Sequence, residues 1–201
     1  MMRFLEQVSM AVVASAMVVA VGCQDPVAVA RTTAAEEHRG HAERALAEGE
    51  YARALAAAEQ AALYDPFTPQ HQDLVNRVKL SAIAEATRPI RVEDGESLAY
   101  IAEAMAGRDA QHVHVYQTAL GRLRFLLGQN ELAKEALDAA LAAKPSYWAA
   151  SQAMAVYLEG QGDLTGAVEH IRASFSANTE HLGLQAQLGN LLVRSGQVAE
   201  G

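Results

Sequence analysis

The chain has seven histidines and one cysteine, the side chains best suited to metal binding or nucleophilic chemistry, so their spacing is read first. His38 and His41 stand three residues apart, which on a helix puts both imidazoles on one face, within reach of a shared metal ion. His112 and His114, on either side of Val113, form a second close pair. Neither pair has a third ligand at metal-site spacing, so no metal centre is expected and His41 is read as a core or boundary residue. Glu36, Glu37 and Glu43 read as a solvated helix face. No glycine-rich phosphate loop follows a strand, and neither Gly-x-Ser-x-Gly nor His-Glu-x-x-His occurs. The expectation is a protein without catalytic residues, metal or cofactor, and not an enzyme.

The elements that carry these residues are helical by composition. Hydrophobic residues make up 51% of the 201 positions and aromatics only 5%. The apolar content is mostly Ala, Leu and Val rather than the Ile, Tyr and Phe that pack strands, which predicts an all-α chain. A formal charge of -8 argues against nucleic acid as a partner, because binding phosphates needs a basic face. A single cysteine allows no internal disulfide, so the role of that thiol depends on its position.

That position is telling. Arg3 precedes a run of small and apolar residues, Ala11 to Val21, which ends at Gly22 and Cys23. The shape is that of a secretory signal, and the apolar stretch from Val8 to Gly22 is shorter than the roughly 20 residues a membrane-spanning helix needs. Ala20-Val21-Gly22-Cys23 resembles the lipobox of bacterial lipoproteins. That resemblance implies removal of a signal peptide at 1–22, acylation of Cys23 with palmitate-type chains, and a mature protein held on the membrane by its lipid. Each buried methylene would contribute about 0.8 kcal/mol, and more than one chain gives stable attachment. Cleavage at another small residue, or an uncleaved anchor with Cys23 as an ordinary thiol, is the alternative. Gln24 in place of Asp implies the outer rather than the inner membrane, with the folded part outside the cytoplasm. Residues 23–33 are expected to be a tether.

Beyond it, one spacing recurs. Gly49 is followed at steps of five, four, three and five by Ala54, Ala58, Ala61 and Pro66. The ladder returns at Gly128, Ala133, Leu137, Ala140 and Pro145, again at Gly162, Ala167, Ile171, Ser174 and Thr179, and starts once more at Gly196. Seven residues before each glycine stands a small residue: Ala42, Gly121, Ala155 and Gly189. The pattern has a physical reading. Glycine ends a first helix because it accepts the left-handed conformation, the small residue lets a second helix approach closely, and proline stops that second helix. These residues and the 34-residue period resemble the tetratricopeptide repeat, which implies an all-α solenoid of helical hairpins over 34–68 and 114–201, the last copy incomplete.

Gly49 to Gly128 exceeds two periods by 11 residues, so 69–113 is expected to hold a helical insert. Thr68-Pro69 reads as a helix start, with Leu74, Val75, Val78, Leu80 and Ile83 as its apolar face and Arg88-Pro89 as its break. A second helix is expected from Glu96 to Ala106, ended by Gly107. Val92 to Ala102, and more weakly Gly107, Asp109, His112 and Val115-Tyr116, are similar to the opening of the LysM module. That likeness implies peptidoglycan as a ligand through 90–116, although the module's closing strand has no counterpart.

In a tetratricopeptide array the first helices line a concave face that takes up segments of other proteins, a partner the resemblance places in the bacterial envelope. By repeat phase the groove candidates are Thr118, Arg122 and Phe125, then Gln152, Val156 and Glu159, and finally Asn190, Val193 and Arg194. Asn190 and Arg194 would hold a backbone or carboxylate and Phe125 an apolar side chain. The lysines of the family's chaperone-tail clamp are absent from these rows. Leu182 to Arg194 has the register of a first helix without its second, so a longer array, or an end completed by a partner, is expected.

Overall fold

The computed structural model describes residues 25–86, 94–177 and 179–197. Cys23 and its leader, the Arg88-Pro89 break, Val92-Glu93 and Val198 to Gly201 lie outside the described residues. Nine helices and no strand are present among the described residues: α1 (Pro26–Ala47), α2 (Tyr51–Tyr64), α3 (Pro69–Ala84), α4 (Gly95–Arg108), α5 (Val113–Leu126), α6 (Asn130–Ala143), α7 (Trp148–Gly160), α8 (Leu164–Ala177) and α9 (Leu182–Arg194). The chain divides into two compact units, Met1–Gln72 and Asp73–Gly201, with the boundary inside α3.

The recurring glycines act as their spacing predicts. Gly49, Gly128, Gly162 and Gly196 have φ of 74°, 75°, 83° and 77°, the left-handed region that a side chain disfavours. Each lies in the same pair of hydrogen bonds: Gly128 N–H reaches Phe125 O while Gln129 N–H reaches Arg124 O, and the pattern repeats at Gly49-Glu50, Gly162-Asp163 and Gly196-Gln197. This is the Schellman arrangement, which satisfies carbonyls left open at the helix end and turns the chain for the next helix.

In the first unit the buried apolar residues of α1 and α2 are all alanines. Ala35, Ala42 and Ala45 of α1 and Ala54, Ala58 and Ala61 of α2 are all at most 2% exposed. Such small side chains let the two helix axes come close. Residues 26–33, expected as part of the tether, are instead the first turns of α1, because Pro26 occupies the opening of the helix and the Asp25 carboxylate accepts the Val27 N–H at 3.0 Å.

In the second unit the core passes from pair to pair. One cluster joins Leu80, Ile83 and Ala84 of α3 to Ala99, Ala102 and Met105 of α4 and to Tyr116, Ala119, Leu120 and Leu123 of α5. A second joins Ala133 and Leu137 of α6 to Ala153, Met154 and Tyr157 of α7, and a third joins Ala155 of α7 to Ile171 of α8 and to Leu184, Leu191 and Leu192 of α9. The chain is thus an all-α helical solenoid, as its period implies. Ser174, which stands where the other repeats have alanine, is buried and donates its hydroxyl to Trp148 O at 2.7 Å, so the added oxygen is satisfied.

The stretch 69–113 needs correction. The apolar face of α3 is buried as read, but α3 and α4 do more than connect: they share a core with α5, and Arg108 of α4 pairs with Asp73 of α3 at 3.3 Å. They occupy the place of a further helix pair, with the extra residues between its two helices. Gly107 does not end α4, which continues to Arg108. Val115-Tyr116, aligned by the LysM likeness, is helical and belongs to α5.

Candidate protein-binding groove

α5, α7 and α9 are the first helices of successive pairs in the second unit, and polar side chains link them in a row. Arg122 of α5 donates through Nη2 to Gln152 Oε1 of α7 at 2.5 Å, and Gln152 Nε2 donates to Gln187 Oε1 of α9 at 3.2 Å. About two turns further, Glu159 of α7 and Arg194 of α9 form an ion pair. Between α7 and α9 lies a depression of about 290 Å³ lined by Glu159, Ala186, Gln187, Asn190, Leu191 and Arg194.

The nine residues expected to face the groove divide into three kinds. Val156, Asn190, Val193 and Arg194 are exposed, with Val156 at 37% and Val193 at 63%, and Glu159 is half-buried beside Arg194. Gln152, 2% exposed, and the partly buried Arg122 form the floor. Arg122 also donates through Nη1 to Ala86 O at 2.7 Å, just past the end of α3, where the carbonyls of a helix terminus favour a cation. Burial pulls the Arg122 guanidinium down to about 10. Thr118 and Phe125 are corrections. Thr118 is fully buried and donates to His114 O at 2.7 Å, so it is turned into its own helix. Phe125 meets Tyr157 edge-on, with ring centroids 5.8 Å apart, and packs with the α6–α7 cluster; it fills space between helices rather than anchoring a ligand.

Gln187 was missed. Its signal is a departure from the repeat: one and two periods earlier stand Ala153 and Ala119, both buried, so a polar side chain at this phase is the exception.

His38 stacks on Tyr64 at 5.4 Å and meets His41 edge-on at 6.2 Å, and His41 is exposed rather than in the core or at its boundary. Among the described residues no group of three or more His, Cys, Asp or Glu side chains is placed to hold a metal ion. His112 belongs to a turn centred on Asp109, whose Oδ2 lies 2.8 Å from His112 Nδ1 and accepts the buried Tyr116 hydroxyl at 2.7 Å. Burial opposes the charge of Asp109, yet the Tyr116 and His112 hydrogen bonds hold its carboxyl below the usual aspartate value; burial and the same contact push the Tyr116 hydroxyl up.

Comparison with solved structures agrees with the helix pairs. TTC0263, described as a thermophilic TPR protein of Thermus thermophilus, superposes with a TM-score of 0.58 at 16% identity, covering 80% of this chain and all of the other. The fold is tetratricopeptide. MamA 41-end from Desulfovibrio magneticus RS-1 matches with a TM-score of 0.51 at 17% identity, over 83% of this chain and 88% of the other. A second MamA protein gives 0.51 at 14% identity, over 83% and 85%. No family model and no curated protein matches the sequence. The likeness is therefore one of fold.

Proposed function

We propose that this protein is a non-enzymatic interaction scaffold of the bacterial envelope, anchored by lipid at Cys23, that holds an extended or helical segment of an envelope protein along α5, α7 and α9. The observation that carries the groove assignment is the depression between α7 and α9, with exposed Val156 and Val193 on the same helices. A polar floor beside isolated apolar side chains suits a segment that offers both backbone and side-chain contacts. The secretory shape of the N-terminus and the lipobox resemblance support the envelope location and the anchor.

Peptide display against the full chain tests the groove. Selected peptides should lose at least ten-fold in affinity against Val156→Asp and Val193→Asp, with helicity unchanged by circular dichroism. Peptides that bind both variants as well as the parent would place the binding face elsewhere.

A further inference from the structure

The hydrogen bonds between the first helices run in one direction, and Arg122 sets it. A guanidinium can only donate, so the Gln152 atom 2.5 Å from Arg122 Nη2 has to be the carbonyl oxygen. That turns the Gln152 amino group toward α9, where it donates to Gln187 Oε1 at 3.2 Å. With its oxygen occupied, Gln187 has its own amino group left to offer, and Gln187 lines the depression between α7 and α9 together with Asn190. Among the described residues neither that amino group nor the Asn190 side chain makes a hydrogen bond. A positive charge at the head of a hydrogen-bonded chain also polarises each amide in turn, strengthening the last donor.

The electrostatics of the depression narrow the ligand further. Arg194 is paired with Glu159, so the two charges lining the space offset each other and leave no net charge to attract an anion. Donors in a site without net charge suit a neutral oxygen acceptor. We propose that Gln187 and Asn190 hold a main-chain carbonyl of the bound segment, and that Arg122, on a helix two pairs earlier in the row, is a positioning residue that fixes their donor polarity. This rests on the groove assignment above and specifies its chemistry: recognition of backbone, tolerant of the partner's sequence and without attraction for acidic ends.

The test uses the full chain labelled with ¹⁵N at Gln and Asn side chains, with the capped peptide Ac-Ala-Ala-Ala-NH2 as a neutral probe and sodium acetate as an anionic one. The peptide should shift the Gln187 and Asn190 amino resonances saturably, and acetate at equal concentration should move them at least ten-fold less. Arg122→Met should reduce the peptide-induced shift at Gln187 at least three-fold, and Arg122→Lys should restore much of it. Because Arg122 also bonds Ala86 O, Gln152→Met supplies a second break in the chain that leaves that bond in place, and its effect should match. Acetate acting as strongly as the peptide, or an unchanged response in both Met variants, would overturn the proposal. Peptide binding with Gln187 unmoved would overturn it while sparing the groove; no peptide binding to the chain at all would remove both.

Discussion

Gly121 lies so close beneath Leu137 that a β-carbon there would stand 2.6 Å from Leu137 Cγ and 3.1 Å from the Ala133 backbone oxygen. Gly189, two periods later, would meet nothing within 4 Å. The same repeat position is therefore filled in one place and open in the other. Gly121→Ala is expected to overpack the α5–α6 contact and lower stability by about 1–3 kcal/mol. Gly189→Ala, inside a helix with free space, is expected to raise it by about 0.5–1 kcal/mol through reduced backbone entropy. Urea titration of both variants checks the contrast, and effects of the same sign would contradict the packing.

The glycines at the helix ends fail for a different reason. A β-carbon on Gly128 or Gly162 meets no atom within 4 Å, so only the positive φ opposes a side chain. Alanine at either position should cost about 1–2 kcal/mol, and asparagine less, because its side chain tolerates the left-handed region. Thermal melts ranking Asn below Ala in stability would exclude this cause.

Phe125→Ala should destabilise the α5–α7 packing by about 3 kcal/mol, the low end for phenylalanine because the ring is only partly buried. Affinity for groove peptides, measured on the folded fraction, should stay within two-fold of the parent. A large loss of binding without loss of stability would return Phe125 to the site.

Acid should loosen the α4–α5 turn. The folded state holds the Asp109 carboxyl below its ordinary value of 3.8, so its contribution is present above that pH and disappears as pH falls through the lower, folded value. Asp109→Asn lacks this titration. The stability gap between parent and variant, followed by urea melts from pH 6 to pH 2, should be widest above about pH 4 and close toward the acid end. Parallel curves would assign the turn's stability to something other than Asp109.

For the proposed anchor, Cys23→Ala should release the protein into the soluble envelope fraction or leave an unprocessed precursor. Normal processing together with membrane attachment in that variant would rule out lipid on Cys23.

The sequence by itself determined where the helices that stop at the recurring glycines end. A positive φ is a demand made within one residue, so Gly49, Gly128, Gly162 and Gly196 could be read directly, and a small residue seven positions earlier follows from the approach of the next helix. Proline at 69 marked the start of α3 for the same local reason. Tertiary structure decided where the 11 extra residues go, because the shared core of α3, α4 and α5 is made by side chains from separate helices. It also decided which groove residues are free. Repeat phase gives the direction a side chain leaves its helix but not what it meets there: Phe125 found Tyr157, Arg194 found Glu159, and Arg122 found Gln152 and Ala86, each about 30 or more residues away in sequence. Partners at that distance are set by how helices stack, and a local pattern carries no record of them.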